Sequence, residues 1–172
     1  MVGRSRVFEM VKSEIIPIGV SEVHRVADLA HQIWPEAFDG ILPADYIPAM
    51  VSDIYAHDVL AADINERGHQ YWLAMIDGHD VGYVSAYLEK GRVWIKKLYL
   101  LSRTRGLGLG KALIATAHEH FGASKPLALF VNDGNSKAIA FYKSQGFEVE
   151  SHLPVRMGPY DFHDYVMVKP GA

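Results

Sequence analysis

The chain has 172 residues, 49% hydrophobic and 22% charged, which suits one domain over residues 1–172 with room for a hydrophobic core. Its net charge is −3 with no basic block, which argues against nucleic acid as the partner. Cysteine is absent, so disulfides, thiolate metal sites and a cysteine nucleophile are excluded, and the composition suits the reducing cytoplasm.

In chain order, Met1–Met10 carries Arg4 and Arg6, but Glu9 interrupts its short apolar part, so no signal peptide is expected. No stretch approaches the roughly 20 apolar residues of a membrane span. Glu14–Val20 reads as a first strand. Ser21 is expected to N-cap a helix whose apolar stripe is Val23, Val26, Ala27, Ala30, Ile33 and Trp34, closed by Pro35. Pro43 to about Tyr55 reads as a second helix, and Asp58–His69 is polar and ambiguous. Strands follow at Gln70–Ile76 and Val81–Leu88, joined by the turn Asp77-Gly78-His79-Asp80. Alternation in the second places Val81, Tyr83, Ser85 and Tyr87 on one face. Lys90-Gly91 turns into a strand over Val93–Leu101.

Arg103-Thr104-Arg105-Gly106-Leu107-Gly108-Leu109-Gly110-Lys111 comes next, opening a helix that runs to Phe121 and is capped by Gly122. Glycine at every second position frees the backbone to turn and expose its N–H groups. The helix start adds unpaired donors and the positive dipole end, and Arg103, Arg105 and Lys111 add fixed charge. Together they suit a phosphate or pyrophosphate. A Walker A loop needs Gly where Arg105 stands and Ser or Thr where Ala112 stands. The dinucleotide fingerprint needs a third glycine where Lys111 stands. Leu127–Val131 then reads as a buried strand, and Ser136–Gln145 as a helix N-capped by Asn135 and stopped by Gly146. Strands at Phe147–His152 and Tyr165–Val168 end the series.

Arg105-x-x-Gly108-x-Gly110 resembles the (Arg/Gln)-x-x-Gly-x-(Gly/Ala) signature of the GNAT superfamily of N-acetyltransferases. Asn135, Ala138, Phe141-Tyr142 and Gly146-Phe147 resemble its second segment, Asn-x-x-Ala-x-x-Phe-Tyr-x-x-x-Gly-Phe. More loosely, Ala138–Lys143, Met157-Gly158 and Asp164–Met167 are similar to the bacterial spermidine/spermine acetyltransferase branch. The resemblance implies an α/β (α+β) GNAT fold. Its central sheet is mixed and mostly antiparallel, with about seven strands, splayed between the fourth and fifth and carrying helices on both faces. It also implies acetyl-CoA as co-substrate and no metal. Backbone contacts to the cofactor arm fall on Leu98, Tyr99 and Leu100, and pyrophosphate contacts on Arg105, Gly106, Leu107, Gly108, Leu109, Gly110 and Lys111. A further contact to the arm falls on Asn135. A homodimer is a habit of the family.

Acetyl transfer to an amine requires an amine proton to leave, an oxyanion to be stabilised and the departing thiolate to be protonated. On the helix pattern alone Tyr142 is a packed ring beside Phe141; the resemblance makes it the acid at the thiolate, with Leu98 or Tyr99 N–H at the oxyanion. The family often places Glu in the strand before the loop, but Val93-Trp94-Ile95-Lys96-Lys97-Leu98 holds no carboxylate. Candidate bases through water are Glu36, Asp39 and Tyr83. The family's acceptor pocket falls between the first two helices and the hairpin strands, near Trp34, Glu36, Phe38, Asp39, Tyr46 and Tyr83, aromatic walls and acids that suit a cationic amine, although Trp34 and Phe38 read equally as core. His118-Glu119-His120 lacks the His-Glu-x-x-His spacing, and His24 and His31 have no third ligand, so no metal is expected. The function implied is direct acetyl transfer in a ternary complex to a primary amine, a polyamine or another small amine. The alternatives are protein N-terminal or lysine acetylation, and a non-catalytic CoA-binding regulatory module.

Overall fold

The computed structural model describes residues Lys12–Ala172; the expectation for Met1–Met10 lies outside them. The elements are β1 (Ser13–Ile18), α1 (Val23–Ala37), α2 (Ile47–Ile54), α3 (His57–Glu66), β2 (Gln70–Ile76), β3 (His79–Glu89), β4 (Arg92–Leu100), α4 (Leu109–Phe121), β5 (Leu127–Asn132), α5 (Ser136–Ser144), β6 (Glu148–Met157) and β7 (Tyr160–Lys169). The sheet order is β1-β2-β3-β4-β5-β7-β6. Every pairing is antiparallel except β4 with β5, whose parallel register runs from Val93↔Leu127 to Ile95↔Leu129 and stops there.

Helices cover both faces, so the sheet separates two apolar clusters. One joins α1, α2 and α3 to Tyr71, Leu73 and Tyr83. The other joins α4 and α5 to Val84, Ile95, Leu129, Val131 and Met167. Two β-bulges decide which residues face which cluster. The β2–β3 register skips at Val81 and the β3–β4 register at Lys96, and an extra residue in one strand reverses the alternation beyond it. Val81 therefore packs with the α4 cluster and Tyr83 with the α1 cluster, not on one face as simple alternation predicts. Past Lys96, Lys97 and Tyr99 turn toward α1 while Leu98 and Leu100 turn toward α4.

Several local expectations need correction. Ser21 sits inside a single 3₁₀ turn, Val20–Glu22, and makes no cap bond; Glu22 is the N-cap of α1. Pro35 lies inside α1, where it removes only the bond to the His31 carbonyl. The helix continues one more turn, and the Phe38 N–H closes on the Trp34 carbonyl at 3.0 Å. The second helix starts at Ile47 after a turned segment. Asp58–His69 is mostly α3, which has no apolar stripe because it buries one apolar and one acidic side chain, Leu60 and Asp63. β6 and β7 form a hairpin longer than expected, turning at Gly158.

Asp63 enters the interior because the sheet supplies partners. Tyr71 Oη donates to it at 2.7 Å, Arg67 at 3.0 Å, and Lys97 Nζ lies at 3.7 Å. Lys97 also sits over the Tyr55 and Tyr71 rings at 5.5 and 5.6 Å.

Candidate functional site

Because β4 and β5 stop pairing after Ile95 and Leu129, they diverge toward their C-terminal ends. A cavity of about 1090 Å³ opens there. One wall is Leu98, Tyr99 and Leu100 of β4, whose edge toward β5 has no strand partner beyond Ile95. The opposite wall is Val131 with Asn135, Phe141 and Tyr142 of α5. The floor is Arg105, Gly106, Gly108, Leu109, Gly110 and Lys111, and Glu36, Asp39 and Ile41 complete the rim.

The three loop glycines serve two purposes. Gly106 and Gly108 have φ of 82° and 75°, a left-handed conformation that other L-residues adopt at a cost of about 1–2 kcal/mol. Gly110 has an ordinary helical φ, but a Cβ there falls 3.0 Å from Phe141 Cζ and 3.5 Å from Leu100 Cδ1. It is glycine for close packing. Gly108 is the N-cap of α4 and offers no side-chain bond. Ala112 N–H is bonded to the Gly108 carbonyl at 3.1 Å, so the preceding first-turn N–H groups have no carbonyl one turn back to receive them. Thr104 holds the turn in shape, its hydroxyl donating to the Leu101 carbonyl at 2.6 Å.

At the mouth of the gap, Tyr142 is 9% exposed, and its hydroxyl has no hydrogen-bond partner among the described residues. Burial pushes its pKa well above the usual value, so it stays protonated at neutral pH. Asn135 N-caps α5, its side-chain oxygen accepting from Ala138 N–H at 3.3 Å, while its amide group remains available to the cavity.

Not every predicted residue joins the site. Leu107 points outward, 53% exposed, and does not line the cavity. Trp34, Phe38 and Tyr83 lie behind the wall in the α1 cluster and do not reach the cavity. Trp34 Nε1 donates to Tyr55 Oη at 3.2 Å and Tyr83 Oη donates to the same oxygen at 2.7 Å. Burial pushes the Tyr83 pKa well above its usual value. A fully buried, protonated and already bonded hydroxyl neither touches an acceptor nor serves as a base, so Tyr83 is struck from both lists. Their packing role is to brace Tyr99, whose ring centroid lies 5.7 Å from those of Trp34 and Tyr83. Tyr46 packs on Tyr160 at 5.2 Å, tying the segment before α2 to the β6–β7 hairpin. Among the described residues no three His, Asp or Glu side chains are grouped to hold a metal ion, and no helix is long and apolar enough to cross a membrane.

A diverging parallel pair, a glycine turn at a helix start and a buried tyrosine across the gap define a class. Residues 14–147 match the model of the acetyltransferase (GNAT) family, and the chain belongs to that family; it is an N-acetyltransferase. An uncharacterized N-acetyltransferase of Mycobacterium tuberculosis is 29% identical over 87% of this chain and 98% of its own length. The spermidine N(1)-acetyltransferase of Thermoplasma acidophilum is 22% identical over 91% of this chain and 96% of its own. Among solved structures, the PaiA N-acetyltransferase of T. acidophilum in complex with coenzyme A shares the fold. Its TM-score is 0.78 at 21% identity, over 92% of this chain and 99% of that one.

Proposed function

We propose that this cavity binds acetyl-CoA and delivers its acetyl group to a small primary amine by direct attack in a ternary complex, with polyamines as the favoured acceptors. The observation that carries this is the convergence of three kinds of group on one gap: free α4 N–H donors with Arg105 and Lys111, the unpaired edge of β4, and the Tyr142 hydroxyl.

The residues fit that co-substrate in parts. Arg105, Lys111 and the loop N–H groups hold the pyrophosphate, the arrangement by which helix starts bind anions. Leu98, Tyr99 and Leu100 pair their free backbone groups with the amide-bearing arm, as an edge strand accepts an added strand. A backbone N–H of this same segment, past the bulge at Lys96, faces the thioester oxygen and stabilises the charge that develops there. Tyr142 donates to the sulfur as it leaves. Glu36 and Asp39, which line the same cavity, attract a cationic acceptor, in keeping with the spermidine acetyltransferase among the relatives. With no cysteine in the chain, no thiol carries the acetyl group between donor and acceptor.

The test is thiol release from acetyl-CoA across polyamines, amino acids, aminoglycosides and peptides with free N-termini. Release that depends on small amines, strongest with polyamines, is expected. Release confined to peptides, or tight acetyl-CoA binding with no acceptor-dependent release, overturns it.

A further inference from the structure

The backbone of Leu98–Leu100 is taken up by the cofactor arm, but the Tyr99 side chain has no part in that contact. We propose that the Tyr99 hydroxyl receives the acceptor: its oxygen accepts an N–H from the amine and holds the nitrogen toward the thioester carbon. This rests on the amine-acetylation reading above.

The register skip at Lys96 gives the strand two functional sides. Beyond it Tyr99 turns toward α1, while Leu98 and Leu100 turn toward α4. Leu100 Cδ1 lies 3.5 Å from where a Cβ on Gly110 would stand, so that side meets the glycine loop and the donor. The α1 side holds the carboxylates. Ile33, Glu36 and Ala37 of α1 line the cavity, and the segment after the helix adds Asp39, Gly40 and Ile41. On the neighbouring face of α1, Trp34 and Phe38, one turn apart, hold the Tyr99 ring at centroid distances of 5.7 and 6.1 Å. Tyr99 is thereby fixed beside the carboxylate-bearing wall, in the same cavity that Tyr142 lines from α5.

Its hydroxyl is uncommitted. The other tyrosines buried around it are bonded: Trp34 and Tyr83 donate to Tyr55 Oη, and Tyr71 donates to Asp63. The fully enclosed side-chain polar atoms without a partner are His69 Nδ1 and Ser85 Oγ. Tyr99 Oη also has no partner among the described residues, but it is not enclosed. Trp34, Phe38 and Tyr83 pack on the ring from behind the cavity wall, so the open part of this half-buried side chain faces the cavity. A largely buried tyrosine hydroxyl ordinarily has a hydrogen-bond partner, and an amine N–H in the cavity supplies one.

The chemistry of the group sets its role. Burial raises the Tyr99 pKa well above the usual value, so the hydroxyl keeps its proton. It offers lone pairs to an N–H without taking the proton away. Tyr99 therefore binds and orients the amine, while Glu36 and Asp39 supply the negative charge that draws it in.

The experiment compares wild type with Tyr99→Phe, which deletes the oxygen and keeps both the ring and the backbone. Spermidine is the probe, and the readouts are thiol release at varied spermidine and varied acetyl-CoA, coenzyme A affinity, and thermal melting. A hydrogen bond to a charged group is worth roughly 10- to 100-fold in an equilibrium constant. The kcat/KM for spermidine is therefore expected to fall at least about tenfold, chiefly through KM. The KM for acetyl-CoA, coenzyme A affinity and Tm are expected to stay level, because the backbone contacts and the ring packing remain. If Tyr99→Phe melts early, calorimetric titration of the coenzyme A complex with spermidine, below the transition, is the deciding measurement, and the same tenfold loss of affinity is expected. Wild-type turnover with an undiminished spermidine kcat/KM in Tyr99→Phe overturns the role of Tyr99 alone. An equal loss of coenzyme A affinity also overturns it, because it marks support of the cofactor arm. A wild type that releases no thiol with spermidine overturns the underlying reading of polyamines as acceptors instead.

Discussion

Replacing Lys97 with Met is expected to stabilise the protein at neutral pH, and to do so less as pH rises. Lys97 is only 7% exposed and its burial outweighs the attraction of Asp63, pulling its pKa from 10.5 to about 8. At 1.36 kcal/mol per pKa unit, the interior disfavours the charged lysine by roughly 3 kcal/mol. Met keeps the stem's apolar contacts and removes that penalty. Asp63 loses one cation but keeps Arg67 and the Tyr71 hydroxyl, and the attraction lost is already contained in that net penalty. The gain at pH 7 is thus up to about 3 kcal/mol, as buried ion pairs often show when replaced by apolar groups.

The pH dependence is the sharper signature. Unfolded Lys97 keeps its proton to about 10.5 and the folded residue releases it near 8, so unfolding takes up a proton between those values. Wild-type stability therefore rises with pH through that window, whereas below it the penalty is fully present. Between pH 7 and 9 wild type regains about 1 kcal/mol that Lys97→Met cannot. For a chain of this size that narrows the difference in Tm by about 2–4 °C. Parallel melts at pH 7, 8 and 9 make the measurement. An advantage of Lys97→Met that is constant across pH, or a variant several kcal/mol less stable at pH 7, refutes the reasoning, since either outcome means that Lys97 is not a desolvated cation. Turnover stays at the wild-type level because Lys97 packs over Tyr55 and Tyr71 and does not line the cavity.

Gly108→Ala forces a left-handed N-cap at a cost of about 1–2 kcal/mol and is expected to lower both Tm and coenzyme A affinity. Gly110→Ala gains up to about 1 kcal/mol of helix propensity but pushes on Phe141 Cζ at 3.0 Å. Its Tm is expected to hold while affinity falls, and calorimetric titration beside melting separates the two. Tyr142→Phe removes a hydroxyl that has no partner among the described residues, so Tm stays level. It also loses a bond to a charged sulfur worth about 1.5–3 kcal/mol, and kcat is expected to fall roughly 10- to 100-fold with coenzyme A affinity intact in steady-state assays.

The glycine loop and the Asn135–Phe147 segment were legible because their signals are local. A positive φ needs glycine at Gly106 and Gly108, and Asn135 caps the helix it precedes. What the sequence hid depends on contacts between distant strands. Tyr83 sits in a strand with plain alternation, but the bulge at Val81 sends the two residues to opposite faces, and only the Tyr55 hydroxyl 28 positions away shows why Tyr83 is core. α3 was obscure because its buried Asp63 is stabilised by Tyr71 and Lys97 from two other strands.

The same burial that keeps Tyr142 protonated changes what it contributes. Giving a proton from a hydroxyl of pKa near 10 to the thiolate of a thiol near 8.5 is already uphill by about 2 kcal/mol. Burial raises the tyrosine further, which makes complete transfer less favourable still. In the proposed reaction Tyr142 therefore acts by donating a hydrogen bond to sulfur as negative charge builds there, an interaction strengthened by low local polarity, and the proton itself comes from solvent. In that reaction α5 stabilises the charge that leaves on sulfur, while the amine proton departs on the acceptor side of the gap. On this argument the pH profile follows the acceptor side, and replacing Tyr142 lowers the plateau of that profile without moving its limbs. A limb that shifts in Tyr142→Phe would restore the tyrosine as a true acid.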